Sequence, residues 1–141
     1  MLAAGETRSQ LRLRWLLLTL PLALSLSVET RADGQATESL ARVLMEFEHT
    51  CAPAQCETLR LIVGDETSSM SEQALAAALL RVRHVPDPKD MARLQAIASD
   101  PAQTASVRAI ARVIHRLVHI PSKEDRVALA AVASGDECRE R

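Results

Sequence analysis

The chain has 141 residues, of which 48% are hydrophobic and 25% are charged, and its formal net charge is −1. This balance argues against a nucleic-acid-binding protein, because such proteins present a strongly basic surface. The sequence has one Trp, one Phe and no Tyr, which excludes ligand sites built from several stacked aromatic rings, such as those for bases and sugars.

Residues 1–32 predict a secretory signal peptide. An apolar run follows a basic leader and ends near small residues, and the leader contains Arg8, Arg12 and Arg14. The run covers residues 15–28, and its fourteen residues are too few to cross a hydrocarbon core, which needs about 20. Cleavage is expected after Ala32, with Ser27 as the second choice, and an uncleaved membrane anchor is the alternative. We therefore expect a secreted or periplasmic protein that has no membrane span once the signal is removed.

Removal of this signal takes away four basic and two acidic residues, which leaves 13 basic and 16 acidic residues and a net charge of −3. Phe47 is then the sole aromatic residue. The remaining sequence divides into a helical domain at 33–135 and a polar C-terminal tail at 136–141.

The helical domain contains an internal repeat of 35 residues. Residues 71–100 align with residues 106–135 without a gap, and 11 of the 30 aligned pairs are identical. A weaker first copy has six residues in register: Leu40, Ala41, Leu44, His49, Leu59 and Ile62. Repeats of this length predict stacked helical units, because one unit cannot bury its apolar face alone.

Each copy is predicted to form two helices. In the third copy, apolar residues recur with helical spacing over 107–118, and Pro121 ends this helix. Ser122 is expected to cap a second, shorter helix that Gly135 terminates, and Pro86-Asp87-Pro88 forms the corresponding break in copy two. No stretch alternates with period two, so we predict an all-α fold. A short α-solenoid of about three 35-residue helix pairs is preferred, and a compact six-helix bundle is the alternative.

One segment resembles the second helix of HEAT-type repeats, in which an Asp-Pro turn precedes a Val-Arg-x-x-Ala stretch. Here Asp100-Pro101 precedes Val107-Arg108-x-x-Ala111. The gap between turn and stretch is longer than usual in that family, and Gln73 replaces the arginine in copy two. The resemblance implies an α-solenoid that serves as a protein-binding scaffold.

The chain has three cysteines. Cys51 and Cys56 stand at the break between the two helices of copy one, and we predict a disulfide between them, because an oxidising compartment favours it. A redox or metal pair is the alternative, although the spacing fits no common motif. Cys138 in the tail is left either as a free thiol or as a link to a partner chain, which would give a dimer. Pairing of Cys138 with an N-terminal cysteine would have to bridge two stacked helix pairs.

Histidines occupy the same position in all three copies, at His49, His84 and His119. Stacked helices lie about 8–10 Å apart, so we expect these side chains to be too far apart to share a metal ion. A positive group near a helix C-terminus is their simpler interpretation. His115 lies one helical turn before His119, so these two side chains could both bind one metal ion. No third ligand is visible, and we predict neither a metal site nor a cofactor.

Basic side chains gather on one side of the first helix of copy three: Arg108, Arg112, Arg116, His115 and His119. Copy two contributes Arg81. An ordinary solvated face is one interpretation. The other is a binding surface for an acidic protein, since arginine binds carboxylates well.

The sequence contains no nucleophile elbow, no His-Glu-x-x-His motif and no glycine-rich phosphate loop. We therefore expect no enzyme. The preferred hypothesis is an exported adaptor that binds another protein through its helical surface. A small metal-binding or redox-linked envelope module and an enzyme inhibitor of the immunity type are the alternatives.

Overall fold

The computed structural model describes residues 29–135, with side chains from residue 34 onward. Six helices form this part of the chain: α1 (Glu29–Met45), α2 (Pro53–Gly64), α3 (Met70–Arg81), α4 (Pro88–Ser99), α5 (Ala105–His115) and α6 (Lys123–Ser134). Isolated bridges are the only β-type pairing among the described residues, so the all-α prediction is confirmed. None of the helices in this range is long and apolar enough to cross a membrane.

The three helix pairs close into a ring. Helix α2 packs mainly on α3, α4 packs on α5, and α6 returns to pack on α1. Helices α1, α3 and α5 also contact one another, so they surround a common axis. This closure fits the compact six-helix alternative, because an open solenoid would leave its first and last units apart.

The core consists of equivalent residues from the three copies. Two sets on the inner helices have 0% relative exposure at every position. One set is Leu40, Leu75 and Ile110, and the other is Leu44, Leu79 and Ile114. Burial of one such side chain contributes about 1.5–3 kcal/mol, so these sets hold the inner helices together around the axis.

The helix ends follow from capping side chains and from residues that cannot continue a helix. The hydroxyl of Ser122 accepts the backbone N–H of Asp125 at 3.1 Å and starts α6. Gly135 ends the same helix with a φ of 69°. Pro88 lies in the first turn of α4, directly after the capping residue Asp87. These boundaries agree with the sequence analysis.

The expectation of a shorter second helix is wrong for copy three. In copy three, α6 has 12 residues, whereas α5 has 11 and ends at His115, well before Pro121. Helix α5 stops early because the chain takes a φ of 67° at His119, which no residue inside a right-handed helix can have.

Two segments singled out in the sequence lie outside the described residues. They are residues 1–28, which hold most of the predicted signal peptide, and the tail at 136–141 with Cys138. Helix α1 begins at Glu29, four residues before Asp33, where the mature chain is predicted to start.

Candidate metal centre

A tight turn joins the two helices of each copy, and a histidine stands at its centre. All three histidines have a positive φ, which is 61° at His49, 68° at His84 and 67° at His119. Few residues other than glycine adopt this left-handed conformation, and histidine is among those that do so more often. We call these three residues the histidine triad.

Backbone hydrogen bonds join the triad into a closed cycle. The N–H of His84 donates to the carbonyl of His49 at 2.9 Å, and the N–H of His119 donates to the carbonyl of His84 at 2.7 Å. The N–H of His49 completes the cycle with a bond of 2.9 Å to the carbonyl of His119. The three turns therefore meet on the axis of the helical ring and fix one another.

The three imidazole rings converge at the surface. Their centroids are 5.1 Å apart for His49–His84, 5.1 Å for His49–His119 and 5.3 Å for His84–His119. The Nδ1 atoms of His49 and His84 are 3.3 Å apart. One nitrogen from each ring lies within 4.8 Å of the other two, and all three side chains are exposed.

The expected separation of the three histidines is therefore wrong. It rested on a stack of helices in which equivalent residues are one helix spacing apart. In the closed ring the equivalent turns point towards one axis instead, so the same repeat position comes together three times.

The geometry of the triad suits a transition-metal ion. Two nitrogens bound tetrahedrally at 2.0–2.1 Å from zinc lie about 3.3 Å apart, which is the separation of the Nδ1 atoms of His49 and His84. The third ring can approach by side-chain rotation, because it is exposed and its backbone is held by the cycle. The triad also lies beyond the C-terminal ends of α1, α3 and α5, where the helix dipole favours positive charge.

An arginine–aspartate pair ties the turn in copies two and three. The guanidinium of Arg81 donates to both carboxylate oxygens of Asp90, at 2.9 and 2.5 Å, which raises the pKa of Arg81. Arg116 donates to a single carboxylate oxygen of Asp125, Oδ1, through Nη2. Burial raises the pKa of Asp125, but hydrogen bonds from Arg116 and Ser122 outweigh burial, so this pKa lies below its ordinary value.

A cysteine pair takes this place in copy one. The sulfurs of Cys51 and Cys56 lie within bonding distance, and their Cα atoms are 5.4 Å apart. This agrees with the disulfide predicted from the sequence, which closes the turn that carries His49.

The basic residues singled out in the sequence do not form one free surface. Arg81 and Arg116 bind carboxylates of their own chain, and His119 belongs to the triad. Arg112 is exposed, and His115 and Arg108 are half-buried. The Nε atom of Arg108 is buried without a hydrogen-bond partner in the described part of the chain.

The repeated histidine position is evident in the sequence, but the site that the three histidines form was not predicted. The available signal was His49, the one polar residue among the six that place copy one in register. If the three copies are assumed to close into a ring, the three equivalent histidines are expected to come together on its axis.

Comparison of the chain with protein-family models, with curated proteins and with solved structures finds no match. The HEAT-type resemblance therefore stays a prediction, and the function has to be inferred from the residues themselves.

Proposed function

We propose that this protein binds a divalent first-row transition-metal ion through the histidine triad. The observation that carries the proposal is the convergence of three exposed imidazoles, with one nitrogen of each within 4.8 Å of the others. Imidazole is a preferred ligand of zinc, nickel and copper. Three protein ligands also match the number in zinc sites that keep a position open for an exchangeable ligand.

The conformation of the turn does not by itself account for three histidines. Glycine adopts a positive φ without steric cost, and the chain uses glycine for this purpose at Gly135, where φ is 69°. A histidine in the same conformation is strained by about 1–2 kcal/mol. Strain repeated at three equivalent positions supports a role for the imidazole rings rather than for the backbone.

We infer a binding role rather than catalysis, because the triad lies open to water. Catalytic sites generally strengthen their electrostatics by excluding water. Export of the protein stays part of the proposal, and the Cys51–Cys56 pair supports it, since disulfides persist in oxidising compartments.

Titration calorimetry of the untagged protein with Zn²⁺ and with Ni²⁺ tests the proposal. We expect saturable binding and a higher melting temperature in the presence of metal. At a free metal concentration of 100 times Kd, binding stabilises the folded chain by about 2.7 kcal/mol, which raises Tm by roughly 10–20 °C for a domain of this size.

The variant His119→Asn separates the ring from the backbone. Asparagine tolerates a positive φ, so the metal-free variant should keep the Tm of the parent protein, while its affinity for metal falls at least tenfold. His115→Asn is the matched control, because His115 lies on α5 outside the triad, and it should bind metal as the parent does. Unchanged affinity in His119→Asn would show that the triad is not the metal site.

A protein-binding adaptor is a second proposal. Arg112 favours it, because this side chain is exposed and forms no ion pair with another described residue. Arg112→Ala should weaken capture of a partner from the host's envelope fraction, whereas Arg60→Ala on α2 should not. Equal recovery of the partner with both variants would remove Arg112 from the binding surface.

A further inference from the structure

Residues on either side of each triad histidine surround the candidate metal site. Glu48, Arg83 and Val118 precede the three histidines, and Thr50, Val85 and Ile120 follow them. All six are exposed, and three of them are aliphatic: Val118 is 60% exposed, Val85 48% and Ile120 47%. We call the triad and these six neighbours the triad face.

A metal ion on the triad would be only partly coordinated by one chain. Three imidazoles occupy one side of the ion, and the remaining positions point away from the protein, towards whatever covers the triad face. Ni²⁺ accepts six ligands, and imidazole nitrogen is a ligand that it prefers. Another molecule has to supply the remaining donor atoms. The identity of that molecule is inferred below, and the inference rests on the metal binding proposed above.

We propose that a second copy of this chain supplies them, so that two triad faces meet across one shared metal ion held by six imidazoles. Both faces carry the same three donors, and a twofold dimer requires only one self-complementary patch. The exposed aliphatic side chains around the triad would be buried in the same contact. Burial of apolar surface contributes about 25 cal/mol per Å², so the contact gains stability beyond the metal bonds.

The charges of the triad face select one orientation for this dimer. Because the three copies surround an approximate threefold axis, Glu48, Arg83 and Val118 stand one third of a turn apart. A twofold axis that passes through the copy-three side of the face exchanges copies one and two between the chains. It brings Glu48 of each chain towards Arg83 of the other chain and places the two Val118 side chains together.

The other two twofold arrangements lack this complementarity. A twofold axis through copy one would face Glu48 with Glu48, and one through copy two would face Arg83 with Arg83. Like charges placed together across an interface are unfavourable. Neither residue forms an ion pair with another described residue of its own chain, so both are available for the contact. Arg83 donates to backbone carbonyls at the end of α3 through one nitrogen only, Nη1.

Sedimentation and native mass spectrometry with increasing Ni²⁺ test the inference. The untagged protein should carry Cys138→Ser, so that no disulfide can join two chains. We expect a dimer with one Ni²⁺ per two chains and a return to monomer when the metal is chelated. Monomers that each bind one Ni²⁺ would overturn the shared site but leave the metal-binding proposal standing. Absence of Ni²⁺ binding would overturn the shared site, whereas the metal-binding proposal fails only if calorimetry detects neither Zn²⁺ nor Ni²⁺ binding.

Charge exchange tests the orientation. Arg83→Glu should raise the dissociation constant of the metal-bound dimer at least tenfold, because it faces Glu48 with a second carboxylate. The double variant Glu48→Arg with Arg83→Glu should restore dimer formation to within about threefold of the parent. Arg93→Glu on α4 is the control of equal charge and should have no effect. A dimer that forms equally well in Arg83→Glu would overturn this arrangement.

Discussion

In copies two and three, the turn that carries the histidine is tied by an ion pair, whereas copy one uses neutral and covalent contacts. Arg81 and Arg116 bind Asp90 and Asp125. The residue of copy one that corresponds to these aspartates is Gln55. Its side chain carries no charge and is half-buried, and it forms hydrogen bonds through its amide instead.

The amide of Gln55 contacts the same two repeat positions that Asp125 contacts in copy three. Its nitrogen donates to the backbone carbonyl of Glu46 at 3.3 Å, and its oxygen accepts the N–H of Ala52 at 2.9 Å. The Cys51–Cys56 bond then closes the turn covalently. The end of the first helix is thus bound to the start of the second in every copy. Ion pairs do this in copies two and three, and amide hydrogen bonds and the disulfide do it in copy one.

The triad itself is nearly identical in all three copies despite these different ties. The φ values of the three histidines lie between 61° and 68°, and the bonds of the backbone cycle lie between 2.7 and 2.9 Å. The geometry of the candidate metal centre therefore depends on closure of the ring more than on the tie within each turn.

The largest expected difference between the copies lies in packing beneath the turn. Copy one has Phe47 where copies two and three have Val82 and Leu117, and none of these is more than 3% exposed. We expect Phe47→Ala to lower the free energy of unfolding by about 3–5 kcal/mol and Leu117→Ala by about 2–5 kcal/mol. The decrease should be smallest for Val82→Ala. Urea denaturation measures all three, and Leu61→Ala, at a 65% exposed position, should change little. If Phe47→Ala lowers the free energy of unfolding no more than Val82→Ala does, the turn of copy one is not better packed than that of copy two.

Removal of the disulfide should have a smaller effect that is confined to copy one. Replacing Cys51 and Cys56 by Ser opens a closed loop of six residues, for which chain entropy predicts a loss of about 2 kcal/mol. Thermal denaturation with and without reductant measures it, and reductant should lower the Tm of the parent but not of the variant. A variant as stable as the oxidised parent would show that Gln55 ties this turn unaided.

The smallest expected effect is the acid sensitivity of copy three. Because the pKa of Asp125 is lower in the folded chain than its ordinary value of 3.8, the unfolded chain binds more protons as the pH falls below about 4. The free energy of unfolding then decreases with a slope of up to about 1.4 kcal/mol per pH unit. Asp125→Asn should remove this component, whereas Gln55→Asn in copy one should leave it intact. Denaturation curves between pH 2.5 and 5 that are parallel for the parent and Asp125→Asn would contradict the role of Asp125.

Much of the helical structure was predictable because its signals are local. The spacing of apolar residues, the break at Pro86-Asp87-Pro88, the cap at Ser122 and the end at Gly135 each depend on a few neighbouring residues. The end of α5 was not predictable in this way, since apolar spacing continues to Val118 beyond it. Contacts with the other two turns, 35 and 70 positions away along the chain, hold His119 in the conformation that ends the helix.

The sequence by itself determined that the described chain is helical, that its unit is 35 residues long, and that each unit places a histidine near the end of its first helix. Only the tertiary structure decided that α6 packs on α1, and therefore that the three histidines meet. The physical reason is that a repeat sequence specifies the contact between neighbouring units, whereas closure depends on the small rotation between units summed over the whole chain. Three units complete one full rotation about the axis, and this brings the three equivalent histidines together into one candidate site.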